Sequence, residues 1–161
     1  MITDIKFFSL ERMKEVVPSR KIAVVSILDK DEELNRPIFK GFGPVLILQF
    51  EDTFEEGKLA SPGAWPDEPS EEEHTRFCQR KGERISTLSN ARDIVNFLAQ
   101  RQSEAETWTL IAHCAGGISR SAAVAHWASV KYWVPITGGL GHTDFANARL
   151  LRLMDKAANR L

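Results

Sequence analysis

The amino-acid sequence predicts an α/β protein with a mostly parallel central sheet of four to five strands and helices on both faces. Three observations carry that prediction. Ile22–Leu28 and Val45–Phe50 are near-continuous apolar runs rich in β-branched residues, as expected of strands covered on both sides. Ile85–Gln102 sets Ile85, Leu88, Ala91, Ile94, Val95 and Leu98 along one face at helical spacing. Strand-like and helix-like segments alternate, the order that yields parallel strands joined by helical crossovers. Sites in such sheets form beyond the carboxyl ends of strands.

Taken in order, Ile5–Phe8 reads as a short strand. Ser9 is placed to cap a short helix running to Val17, with Pro18 just past it. The strand 22–28 leaves the sheet through Asp29 and the charged stretch Lys30–Glu33. Gly41-Phe42-Gly43-Pro44 is a turn signal ahead of the strand 45–50, which ends at Glu51-Asp52. Residues 51–84 show no clear period. The helix 85–102 leads to a strand over 108–112, a Gly-containing loop, and an Ala-rich helix from Ser121 to Trp133 on which Trp127 and Trp133 read as core residues. Pro135 and Gly138-Gly139-Leu140-Gly141 break that helix. A last helix is expected from a Thr143 cap to about Asn159, with Phe145, Ala148, Leu151 and Met154 on one face.

With 161 residues the chain suits one domain, residues 1–161, and the acidic segment at about 51–84 reads as an insertion in it. That segment carries ten acidic and five basic residues out of totals of 22 and 21. The remaining body is therefore mildly positive, as suits an anion-binding surface. A net charge of −1 gives no reason to expect nucleic acid or a membrane surface as partner. The charged N-terminal stretch does not read as a signal peptide, and no apolar run approaches membrane-spanning length. Two cysteines, Cys78 and Cys114, form no disulfide framework, so the expected compartment is the reducing cytoplasm.

The chemistry concentrates in His113-Cys114-Ala115-Gly116-Gly117-Ile118-Ser119-Arg120-Ser121. Between a strand and a helix, glycines let successive amides turn inward as an anion cradle. The helix adds its N-terminal amides and dipole at the same place. These dipoles favour the thiolate of Cys114, and Arg120 offers a planar fork that matches two phosphate oxygens.

This stretch resembles the signature of the cysteine-dependent protein tyrosine phosphatase superfamily: His-Cys, five residues, Arg, then Ser or Thr. The chain length and Ser121 look like the compact dual-specificity and small bacterial tyrosine phosphatase branch. The resemblance is strong over about 105–135 and topological elsewhere. It implies a tyrosine phosphatase-like fold and phosphomonoester hydrolysis through a phosphocysteine. Cys114 would be the nucleophile, and Arg120 with the amides of Ala115, Gly116, Gly117, Ile118 and Ser119 would bind the phosphate. Ser121 would assist departure of the sulfur, while His113 and Asn147 would support the loop. No cofactor or metal is implied. The implied partners are a phosphotyrosine-containing protein or a small phosphomonoester, with phosphate, sulfate or vanadate as ligands.

The leaving group needs a general acid. Asp52 follows the third strand directly, the position from which compact relatives supply their acid. Asp67, in Trp65-Pro66-Asp67, matches the wording of the acid loop in larger tyrosine phosphatases and is the alternative. Asp52 is favoured because a strand end fixes geometry better than the middle of a loop. Two rival functions remain. An inositol phosphate or phosphoinositide phosphatase would be expected to carry Lys in the loop, and residues 115–119 contain none. A catalytically weak phosphate-binding module would result if the insertion misplaced the acid.

Overall fold

The computed structural model describes residues 1–55 and 65–159. The strands are β1 (Ile2–Phe8), β2 (Ile22–Leu28), β3 (Val45–Gln49), β4 (Trp108–His113) and β5 (Ile136–Gly138). The helices are α1 (Leu10–Lys14), α2 (Glu71–Phe77), α3 (Leu88–Ser103), α4 (Arg120–Tyr132) and α5 (Ala148–Ala158), with a 3₁₀ turn at Lys30–Asn35. All five strands are parallel, in the order β3-β2-β4-β1-β5. β4 is central. Its last residue, His113, lies opposite Phe8 of β1 and Ser26 of β2, so β1 and β4 end at one level and β2 runs two residues further.

Alternation along the strands separates two apolar layers. Ala23, Val25 and Ile27 of β2 and Leu110 and Ala112 of β4 join α3, α4 and α5 in the larger core. Val24 and Ile111 point the other way, against Met13 of α1 and Phe42. Helices thus cover both faces unequally: three pack on one, while a five-residue helix and the loop around Phe39 and Phe42 cover the other.

The α3 stripe forms as predicted, with Leu88, Ala91, Ile94, Val95 and Leu98 buried, although the helix begins after a Thr87 cap rather than at Ile85. Three other expectations are corrected. β3 lies at the sheet edge, and Ile47 is 53% exposed rather than buried, because no strand pairs beyond it. The last helix begins at Asn147, whose side chain accepts from the Leu150 amide. Thr143 instead closes a turn to Ala146, which leaves Phe145 exposed, and the buried stripe is Leu150, Leu153, Met154 and Ala157. Trp127 is a core residue, but Trp133 is 92% exposed, since it ends α4 in the left-handed conformation at φ 57°.

Residues 56–64 of the acidic segment lie outside the described residues. The rest of it is ordered around α2, which begins with a Ser70–Glu73 capping box. Trp65 and Phe77 stack at 4.4 Å beside Ile85 in a small core of their own. Buried carboxylates bind this segment to the sheet. Glu51 accepts from the amides of Gln79 and Arg80, and Glu83 from those of Lys30 and Asp31. On the α5 side Glu55 pairs with Arg149, which is fully buried, and with Arg152, while Asp67 pairs with Arg152 and Lys156.

Burial alone would raise the pKa of Glu55 and of Asp67. The bonds from Arg152 and Arg149, and from Lys156 and Arg152, outweigh it and hold both carboxyls below their ordinary range. The stability they add is therefore complete above about pH 4.5 and is lost as pH falls through the folded values. Glu55→Gln should lower stability at pH 7 and make the acid loss between pH 5 and pH 3 shallower than in wild type, as followed by urea unfolding at stepped pH. An unchanged acid slope would remove Glu55 from that role.

Candidate active site

The loop between β4 and α4 is fixed at both ends by the neighbouring chain. The Cys114 amide donates to Phe8 O at 3.2 Å, the Leu10 amide to Ala115 O at 3.1 Å, and the Asn147 amide to Ser119 O at 3.1 Å. Of the two loop glycines, only Gly117 is required by the backbone. It has φ +69°, and a Cβ there would meet Ser9 N at 2.3 Å, whereas a Cβ on Gly116 would meet only Ile118 at 3.8 Å. The loop therefore turns at Gly117 because β1 and the start of α1 press against it.

Cys114 is almost fully buried. Its Sγ receives a hydrogen bond from the Gly117 amide at 3.2 Å and lies 3.1 Å from Ser121 Oγ. Arg120, the first residue of α4, is also buried. Its Nη1 donates to Asp29 Oδ1 at 2.5 Å and to Phe50 O at 2.7 Å, while its Nε is buried with no partner. One corner of the guanidinium is anchored and neutralised, while its Nε–H has no hydrogen-bond partner among the described residues. Asp29 in turn meets Arg80 at 3.6 Å.

Asp52 reaches the loop from the end of β3. Its Oδ1 accepts from Ser119 Oγ at 2.7 Å and from Asn147 Nδ2 at 2.8 Å. Asn147 Nδ2 also donates to Thr53 O, so one side chain caps α5 and holds the connection that carries Asp52. Asp52, Phe54, Ile118, Ser119 and Phe145 share a cavity of about 400 Å³, whose rim bears the exposed rings of Phe54 and Phe145. Asp67 does not line it; its carboxylate is occupied by Arg152 and Lys156 on the flank of α5.

His113 is wholly buried behind the loop. Burial, with some relief from the Cys114 backbone and a further push from the Arg36 and Arg120 charges, drives its pKa down to about 4, so the ring is neutral at working pH. Its Nε2 lies 2.6 Å from Ser26 Oγ.

The loop residues, Asp52 and Asn147 were legible as candidates. Asp29 was legible as a residue at the carboxyl end of a strand, where a parallel sheet places its ligands, but its pairing with Arg120 was not; Ser26 and Arg36 were not singled out. No cluster of three or more His, Cys, Asp or Glu suited to a metal ion occurs among the described residues, and no helix among them is long and apolar enough to cross a membrane.

Fold and loop together define a tyrosine phosphatase-like α/β architecture with a Cys–Arg loop at the carboxyl end of its central strand. A solved structure of this architecture is the crystal structure of Tk-PTP in the active form. It aligns over 99% of this chain and 92% of its own, with a TM-score of 0.50 and 15% sequence identity, a likeness of fold. No protein-family model and no curated protein matches the sequence.

The two glycines should separate cleanly on substitution. Gly116→Ala should change stability by less than about 0.5 kcal/mol, as for an unconstrained surface site. Gly117→Ala should cost more than about 2 kcal/mol, from left-handed strain plus collision with β1. Thermal unfolding of the two variants checks this, and equal effects would contradict the packing of Gly117 on Ser9.

Proposed function

We propose that this chain hydrolyses phosphomonoesters through a phosphocysteine intermediate, with aryl phosphates such as phosphotyrosine as its substrates. The observation that carries the reading is the pairing within one loop of a thiol that accepts from Gly117 N and a buried guanidinium with an unused Nε. The apolar rim of Phe54, Ile118 and Phe145 beside that loop suits an aromatic leaving group.

In the first step the Cys114 thiolate attacks phosphorus, the S–P bond forms, and the P–O bond to the leaving group breaks. Arg120 and the loop amides hold the three non-bridging oxygens as charge redistributes among them. Asp52, with Oδ1 fixed by Ser119 and Asn147, gives its proton to the departing phenolate oxygen. In the second step water attacks phosphorus and passes a proton to Asp52, the S–P bond breaks, and the Ser121 hydroxyl supports the returning thiolate. Asp67 is the poorer candidate for this role, because two cations hold its carboxyl deprotonated and point it at α5.

Turnover of p-nitrophenyl phosphate tests the reading, since that leaving group departs even without good protonation. Cys114→Ser should abolish it while vanadate still binds, and EDTA should have no effect. Near-wild-type turnover in Cys114→Ser would refute the covalent path. Asp52→Asn should lower kcat for phosphotyrosine by roughly 10²-fold or more. It should spare p-nitrophenyl phosphate more and flatten the basic limb of the pH–rate profile, whereas Asp67→Asn should leave that limb in place. The reverse pattern would transfer the role of acid to Asp67.

A further inference from the structure

A side-chain relay runs behind the nucleophile loop, starting 78 positions before Cys114 in the sequence. Arg36 follows the 3₁₀ turn and lies across the ends of β2 and β3 with its side chain only 7% exposed. Its Nη1 donates to Ser26 O at 2.9 Å and to Ser26 Oγ at 2.7 Å, its Nη2 to Leu48 O at 3.1 Å, and its Nε to Glu33 at 2.5 Å. Ser26 Oγ then lies 2.6 Å from Nε2 of His113, and both residues are wholly buried.

The inventory of donors decides where the protons sit. A guanidinium can only donate, so Ser26 Oγ accepts from Arg36. The hydroxyl has one proton of its own, and His113 Nε2 is the acceptor recorded within reach. A proton on Nε2 would leave that hydroxyl hydrogen stranded in the core. A lone pair on Nε2 receives it and places the imidazole N–H on Nδ1. Nδ1 is buried with no hydrogen-bond partner among the described residues, and the adjoining Cys114 backbone favours a proton on the ring.

We propose that Arg36, acting through Ser26, is a positioning residue that locks His113 as the neutral Nδ1–H tautomer and thereby aims an N–H donor at the Cys114 backbone. The polarised Cys114–Ala115 peptide then holds the start of the loop, so that the Gly117 amide stays directed at Sγ. The tautomer lock stands on the buried bonds alone; its value for catalysis rests on the function proposed above. A packing role alone would tolerate an isosteric side chain at Ser26. A relay needs the hydroxyl.

Two readouts test the relay in the full chain, and neither requires turnover. The first is the ring ¹⁵N spectrum of His113, assigned by comparison with His113→Asn. Wild type should show the neutral Nδ1–H form, and an Nε2–H ring would overturn the proposal. Ser26→Ala and Arg36→Met should each admit the other tautomer, whereas Ser26→Thr, which keeps the hydroxyl, should retain the lock. The second readout is the rate of Cys114 alkylation by iodoacetamide at one fixed pH near 6.5. Burial, with the charges of Glu51 and Glu83, pushes the Cys78 thiol up to about 12, so Cys78 contributes little to the signal. Alkylation should slow roughly fivefold in Ser26→Ala, the worth of about one hydrogen bond, and recover in Ser26→Thr. An unchanged tautomer in both disrupting variants, or an altered tautomer with unchanged alkylation, would overturn the proposal. Arg36→Met also loses its bonds to Ser26 O and Leu48 O, so Ser26→Ala decides if the Arg36 variant fails to fold. Relay results as expected in a protein that does not cleave p-nitrophenyl phosphate would instead defeat the function proposed above and leave the relay intact.

Discussion

Much of this architecture answers one requirement, the burial of the Arg120 guanidinium with one side anchored and one N–H unspent. A buried cation without a partner is costly enough that it would pull the loop apart or draw in water. Asp29 and the Phe50 carbonyl meet that cost from the ends of β2 and β3, on the Nη1 corner alone. Those strand ends must then be held in register with the β4 loop. Asp52 ties the β3 end to that loop through Ser119, while Glu51 and Glu83 bind the β3 and β2 ends to residues 79–83 by accepting backbone amides and carry Arg80 onto the far side of Asp29. Residues 71–84 thereby belong to the frame of the site, and the described part of the acidic segment is tied to strand ends and to α5.

What the sequence made legible follows from how local each feature is. Cys114 and Gly117 on a short loop, with Arg120 and Ser121 opening α4 directly after it, lie between two strong periodic signals, so residue type and spacing singled them out. The β2 and β4 strands and the α3 stripe were visible because burial on one or both faces leaves a pattern. Asp29 is marked locally only by its place just past a strand; its contact lies 91 residues away, and the sequence does not name that partner. The helix α2 has seven residues, too few for a period to emerge, although Ser70 and Glu73 spell its capping box. β5 has three residues and follows a proline, where punctuation hides a strand. Thr143 and Asn147 are both plausible caps, and tertiary contact chose between them. Asn147 satisfies Asp52, Thr53 and the Leu150 amide at once, which Thr143 could not.

The two candidate acids stand in different surroundings. Trp65-Pro66-Asp67 matches a familiar motif, yet Trp65 is committed to stacking on Phe77, and the Asp67 carboxylate to Arg152 and Lys156. The carbonyl of Pro66 is likewise taken, by Arg149. Pro66 and Asp67 thus serve the docking of the segment on α5, and Trp65 the small core within the segment. Asp52 stands in an unremarkable context but takes its place from the end of β3, where Ser119 and Asn147 meet its carboxylate.

The position of β4 has a consequence for how the chain acquires its shape. β1 and β2 lie close in sequence but never pair with each other; each pairs with β4, which comes some eighty residues after β2. As the chain leaves the ribosome, two apolar strands must wait with open edges until the central one is made. Topologies dominated by such distant pairings fold slowly, and unpaired edges are templates for association between chains. Early in its life the molecule is therefore an apolar half-sheet with a missing middle, and its yield in the cell should depend on what shields those edges during synthesis.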